Sequence, residues 1–145
     1  ASFVKASGLT LKDEEHGEGE YLYHAPCHDS LNGKARETLK AIGGFGSVKA
    51  IPHCCSEAGT LALSRPDITD SMLHRKRDAI MEELPNGEKR IMLTNCPSCV
   101  QGLGRNRDLG IEPKHIAVAL AEKISGATWL DIFKKEAAQA KAIRF

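Results

Sequence analysis

No apolar run in this chain approaches the roughly 18 residues that a membrane-spanning helix needs, so no span is expected. No basic-then-apolar signal sequence opens it. Neither sign of charge is in excess: 20 Lys and Arg stand against 19 Asp and Glu, a net charge of +1. That balance removes the electrostatic case for nucleic acid or an anionic membrane surface as partner. Internal repeats and low-complexity tracts are also absent. The one glycine-rich stretch, Gly43-Gly44-Phe45-Gly46, precedes a candidate strand instead of following one, so it fails as a dinucleotide-binding fingerprint. Cysteine is scarce too, with five residues in 145. The expected location is cytoplasmic, where thiols stay reduced. Five clustered cysteines, an odd number, then read as metal-binding or catalytic, not as a disulfide framework.

What is present fits one domain large enough to bury a core without staples. Residues 1–19 show little periodicity and end in an acidic, Gly-containing stretch; they are expected to be an arm or linker, with the domain proper over residues 20–145. The chain opens without Met, which suggests a piece of a longer polypeptide.

Along the domain, Tyr21 to Ala25 reads as a strand, Lys34 to Ile42 as a helix stopped by Gly43-Gly44, and Val48 to Pro52 as a second strand. A short apolar turn from Thr60 to Leu63 and a long helix from Ile68 to Leu84 follow. Lys89 to Asn95 is a third strand, apolar in its middle as a buried parallel strand is. A helix from Ser98 to near Gly110, a short segment Ile111-Glu112-Pro113, and helices from Ile116 to Ile124 and from Trp129 to about Ile143 complete the chain; the last has Trp129, Phe133 and Ala137 on one side, expected to pack onto the domain. The alternation predicts an α/β domain with a mainly parallel sheet flanked by helices.

The cysteines then acquire a geometry. Their pattern is C-x26-CC-x40-C-x2-C: Cys27, Cys54, Cys55, Cys96 and Cys99. Cys27, the Cys54-Cys55 pair and Cys96 each sit just past a predicted strand, and such ends share the edge where open parallel sheets form ligand crevices. Helix starts behind them favour thiolate, the metal-binding form. A structural zinc takes four ligands, and two adjacent thiolates rarely both reach one tetrahedral ion. A cluster of several irons offers separated corners, so the count favours iron–sulfur. Two alternatives stay open: zinc held by four cysteines together with His24, His28 or His53, and a redox dithiol at Cys96-Pro97-Ser98-Cys99.

The segments Tyr23-His24-Ala25-Pro26-Cys27-His28, Cys54-Cys55-Ser56-Glu57-Ala58-Gly59-Thr60 with Pro66, and Thr94-Asn95-Cys96-Pro97-Ser98-Cys99 resemble the cysteine-rich CCG domain family. That family is found in heterodisulfide reductase and in iron–sulfur partners of FAD-linked glycolate and lactate oxidases. His115-Ile116 is similar too, and the resemblance covers about residues 21–124. It implies a Rossmann-like three-layer domain in which Cys27, Cys54, Cys55, Cys96 and Cys99 hold a non-cubane 4Fe–4S cluster or, in some members, zinc. It also implies an electron-transfer module of an oxidoreductase acting on a 2-hydroxy acid, not catalytic alone. FAD would lie in a different domain or subunit, with a separate electron acceptor and any membrane association peripheral, through partners. Heterodisulfide reductase-like thiol–disulfide chemistry is the other activity it suggests. Three departures stand out: Ser56 where the family name calls for Gly, a short gap between Cys27 and Cys54, and one motif where many members carry two.

Two further features adjoin these motifs. His74-Arg75-Lys76-Arg77, with Arg105 and Arg107, is expected to be a solvated face more than a docking surface for an acidic partner. Glu57, beside the cysteines, is expected to cap a helix.

Overall fold

The computed structural model describes residues 8, 10–11, 20–57, 59 and 61–139. Its centre is a parallel sheet of four short strands: β1 (Tyr21–Tyr23), β2 (Val48–Ala50), β3 (Arg90–Thr94) and β4 (Ile111–His115), in the order β2-β1-β3-β4. Tyr21 pairs with Val48, Leu22 with Met92, and Arg90 with Ile111. Helix α1 (Ala35–Ile42) returns the chain from β1 to β2. Helices α2 (Leu61–Ser64) and α3 (Pro66–Glu83) carry it back across β1 to β3. Helix α4 (Pro97–Leu103) and a 3-10 turn (Gly104–Leu109) lead to β4, and α5 (Ile116–Ser125) and α6 (Trp129–Gln139) close the described chain. The winding reverses between β1 and β3. In sheets of this kind the ligand crevice lies outside the carboxyl ends of the strands at such a reversal.

The strand period of two divides the core. Leu22 and Met92 face one side, packed with Ile51, Ile80, Leu84 and Leu103. Tyr23 and Leu93 face the other, with Leu39, Ile42, Phe45 and Ile116. A three-layer α/β domain results, as the sequence predicts.

Four local readings differ. The segment Ile111-Glu112-Pro113 is part of a fourth strand, in which Pro113 aligns with Met92. Pro is tolerated there because β4 is an edge strand, where a missing N–H breaks no second ladder. The long helix starts at Pro66, not Ile68, since Pro fits the first helical position. The C-terminal helix, expected to pack Trp129, Phe133 and Ala137 onto the domain, has no buried residue: Trp129 lies against Phe133, which is 59% exposed. Glu57, expected to cap a helix, pairs instead with Arg105. The predicted extension of the last helix to Ile143 lies outside the described residues, as does most of the arm over 1–19. From that arm, Leu11 donates its N–H to the Ile42 carbonyl at 2.7 Å and packs against the cluster that holds Leu39, Ile42 and Phe45.

Among the described residues no helix is long and apolar enough to cross a membrane.

Candidate metal centre

The three strand ends deliver their sulfurs to one place. Cys27 follows β1, Cys54 and Cys55 follow β2, and Cys96 and Cys99 open α4 behind β3. All five are free thiols. The Cys55 and Cys99 sulfurs lie 3.1 Å apart, and each residue is 4% exposed. Cys54 and Cys96 are half-buried, and Cys27 is exposed. The group therefore has a dry floor and an open rim.

Crowding makes this group resist negative charge. The Cys27 thiol is pushed up first by the charge on Cys54, then by burial, with Cys55 adding to it. Burial pushes the Cys99 thiol well up, and Cys55 and Cys96 reinforce the shift. Cys96 goes the other way: burial raises it, but the N–H groups of Cys99 and Ser98 at the head of α4, with their side chains, outweigh that and favour its thiolate. Several thiols that cannot all ionise alone can do so around a cation, which displaces their protons.

The loop bearing the cysteine pair is held on three sides. His53 and Ser56 occupy left-handed backbone, at φ +70° and +63°. Gly102 lies so close beneath that a Cβ there would stand 2.5 Å from the Cys55 carbonyl oxygen. Arg105 donates to the Ser56 carbonyl at 3.3 Å and pairs with Glu57. Lys76, from α3, donates to the carbonyls of Ile51 (3.0 Å), Pro52 (2.8 Å) and His53 (3.4 Å). The Cys27 loop is stitched to the end of β3 by Asp29. Its carboxylate accepts from the Leu31 and Gly33 N–H groups, from Asn95 Nδ2 at 2.9 Å and from the Tyr23 hydroxyl at 3.3 Å.

Of the three histidines beside cysteines in the sequence, only His24 enters the site. It is 2% exposed, and a ring nitrogen lies within 4.8 Å of both the Cys55 and Cys99 sulfurs. Burial, and then the neighbouring Lys76, lower its pKa to about 4, so the ring is neutral, and its Nδ1 lies 3.2 Å from Lys76 Nζ. His28 and His53 are exposed. His115 caps α5, accepting from the Ala117 N–H.

The residue that sequence reasoning missed is Lys76. The basic run is solvated at His74 and Arg75, but Lys76 has no exposed surface, and Arg77 pairs with Asp108. The available signal was spacing, because Lys76 stands four residues before buried Ile80 and seven after buried Thr69, on the inward face of α3.

The donor set fits a sulfur-ligated metal group. Five soft thiols converge, more than one tetrahedral ion takes. The Ser56 hydroxyl, fully buried beside Cys55, has no protein partner, as expected where a further acceptor completes the site.

Comparison with known proteins agrees with this geometry. The cysteine-rich domain family CCG matches residues 21–104. Lactate utilization protein A 1 of Bacillus mycoides (strain KBAB4) is 32% identical over 109 residues, covering 68% of this chain and 42% of that protein. Lactate utilization protein A of Exiguobacterium sp. (strain ATCC BAA-1283 / AT1b) is 26% identical over 114 residues, 72% of this chain and 45% of that protein. The glycolate oxidase iron-sulfur subunit of Escherichia coli (strain K12) is 29% identical over 97 residues, 61% of this chain and 23% of that protein. The chain thus spans less than half the length of these relatives. No solved structure matches it.

Proposed function

Because this chain belongs to the CCG family of cysteine-rich domains, we propose that it is an iron–sulfur electron-transfer module of a FAD-linked oxidoreductase acting on a 2-hydroxy acid of the lactate or glycolate type. Cys27, Cys54, Cys55, Cys96 and Cys99 would hold the group. The observation that carries the reading is the convergence of five free thiols from three strand ends, in a chain similar to a protein named as an iron–sulfur subunit. When bound, a 4Fe–4S group takes up and releases one electron at a potential set by its surroundings. The chain's own residues supply those surroundings. Cys55 and Cys99 keep the floor dry, and exposed Cys27 leaves the rim open to a partner. Gly102, Arg105 and Lys76 fix the backbone beside the sulfurs. Flavin would lie in another domain or subunit, with a separate electron acceptor. The working unit is residues 20–145, with 1–19 as its arm, in the cytoplasm.

A second reading, a structural zinc, is favoured by one observation: His24, Cys55 and Cys99 are buried with their donor atoms within 4.8 Å of one another. Anaerobic purification followed by iron, sulfide and zinc analysis separates the two. Brown protein with about four irons per chain is the expected result. Colourless protein that takes up about one zinc and refuses iron and sulfide on reconstitution overturns the cluster. Metal-free protein that reduces a disulfide would replace it with thiol–disulfide chemistry.

A further inference from the structure

Lys76 is the one charged side chain with no exposed surface among the described residues. Its ammonium touches three backbone carbonyls and a neutral imidazole, and none of the ion pairs found among the described residues involves it. Burying a charge without an opposite one is costly, so a lysine kept in such a place needs compensation. The carbonyls supply part of it. The rest faces it from the sulfur group: the imidazole it touches lies within 4.8 Å of the Cys55 and Cys99 sulfurs. Although burial lowers the lysine's pKa to about 8, the charges on Cys55, Cys54 and Cys99 act against burial and favour its protonated form.

The three carbonyls are consecutive, from Ile51 to His53, and the next two residues are Cys54 and Cys55. One ammonium with three donors thus gathers the end of β2 into the bend that starts at left-handed His53. A methylene chain could fill the same space but could not hold the carbonyls inward. We propose that Lys76 is a positioning residue of the metal centre: it pins the backbone carrying Cys54 and Cys55, and it is the fixed countercharge to the sulfur group. The pinning stands on the protein alone. The countercharge role rests on the iron–sulfur reading, and it has a sign, because a nearby positive charge favours the more reduced, more negative state.

The test uses the whole chain and its Lys76→Met and Lys76→Gln variants, reconstituted anaerobically with iron and sulfide. Three quantities are read: metal content, midpoint potential, and hydrogen exchange over residues 51–57. The expected result for Lys76→Met is a potential lower by about 59 mV, a tenfold change in a one-electron equilibrium. Amides over 51–57 should exchange at least about tenfold faster, with α1 and α5 unchanged. A folded variant with wild-type potential and wild-type exchange overturns the proposal. Lys76→Gln keeps a donor without the charge, so it should lower the potential as Lys76→Met does; an unchanged potential overturns the countercharge.

Should neither variant fold, the wild-type chain loaded with zinc gives the answer by lysine-selective 15N NMR. A slowly exchanging, hydrogen-bonded ammonium at Lys76 supports the proposal, and a neutral or rapidly exchanging amine overturns it. A wild-type chain that takes up no iron sinks the iron–sulfur reading and the countercharge with it. Exchange and NMR then decide the pinning alone.

Discussion

The two faces of the sheet are built from different materials. On one, Leu39, Ile42, Phe45, Leu93 and Ile116 pack with Tyr23 between α1, α5 and the strands, with no cysteine among the described members. On the other, the aliphatic layer of Leu22, Ile80, Met92 and Leu103 merges into Cys55 and Cys99, with Cys54 and Cys96 packed against it. The fully buried Lys76, Ser56 and Asn106 also belong to elements of that side or its loops. Buried polar groups without partners are costly, and the Ser56 hydroxyl and the Asn106 side-chain oxygen are both in that state. One face maximises packing. The other gives up part of that stability to hold reactive side chains, which is tolerable because the first face carries the fold.

This contrast can be broken by substitution. The largest expected effect is on the chemical face: Cys55→Ala should lower metal content by at least roughly tenfold. The metal-free chain should lose only about 1 kcal/mol, the ordinary cost of a small buried side chain. Metal analysis and urea unfolding of the same samples check both halves, and equal metal content would refute the assignment of Cys55. Next comes Leu39→Ala on the packing face, at a position with no exposed surface. It should cost about 3 kcal/mol of stability with or without metal, while the folded fraction keeps its full metal complement. Loss of metal from folded protein would mean the faces are not separable.

Gly102→Ala sharpens the boundary between them. Its Cβ would meet the Cys55 carbonyl at 2.5 Å, so the loop must shift, at a cost of about 2 kcal/mol. Unlike Leu39→Ala it should also impair metal loading, read by iron content against thermal stability. The smallest effect has the opposite sign. Ser56→Gly relieves a left-handed residue at φ +63° and removes an unpartnered hydroxyl, and should raise metal-free stability by about 1 kcal/mol. A loss of stability would show that the hydroxyl is satisfied after all.

How far the sequence reached follows the same division. The strand ends and the five cysteines were legible because each is a local signal: an apolar run ended by Pro or Cys, placed by the rules of parallel sheets. Strand β4 was not, since Ile111-Glu112-Pro113-Lys114-His115 is short and contains a proline that only edge placement excuses. His24 could not be told from His28 and His53, because all three lie near cysteines in sequence and only the fold buries one. Lys76 hid in a basic run whose neighbours are solvated. Ser56 was legible as a departure, but its meaning was not: the backbone there turns left-handed, which is why glycine suits that position.

Asp29 leaves a mechanical consequence. It sits two residues from Cys27, and its carboxylate accepts from Asn95, the residue immediately before Cys96. The outermost sulfur is thereby tethered across the sheet's reversal to an inner one, by side chains and not by the main chain. A push on the exposed loop is therefore a push on the head of α4 as well, so the rim yields as a unit. Loosening that tether, as in Asn95→Ala, would let the Cys27 sulfur drift while the other four stay in place, turning a rigid socket into one with a swinging gate.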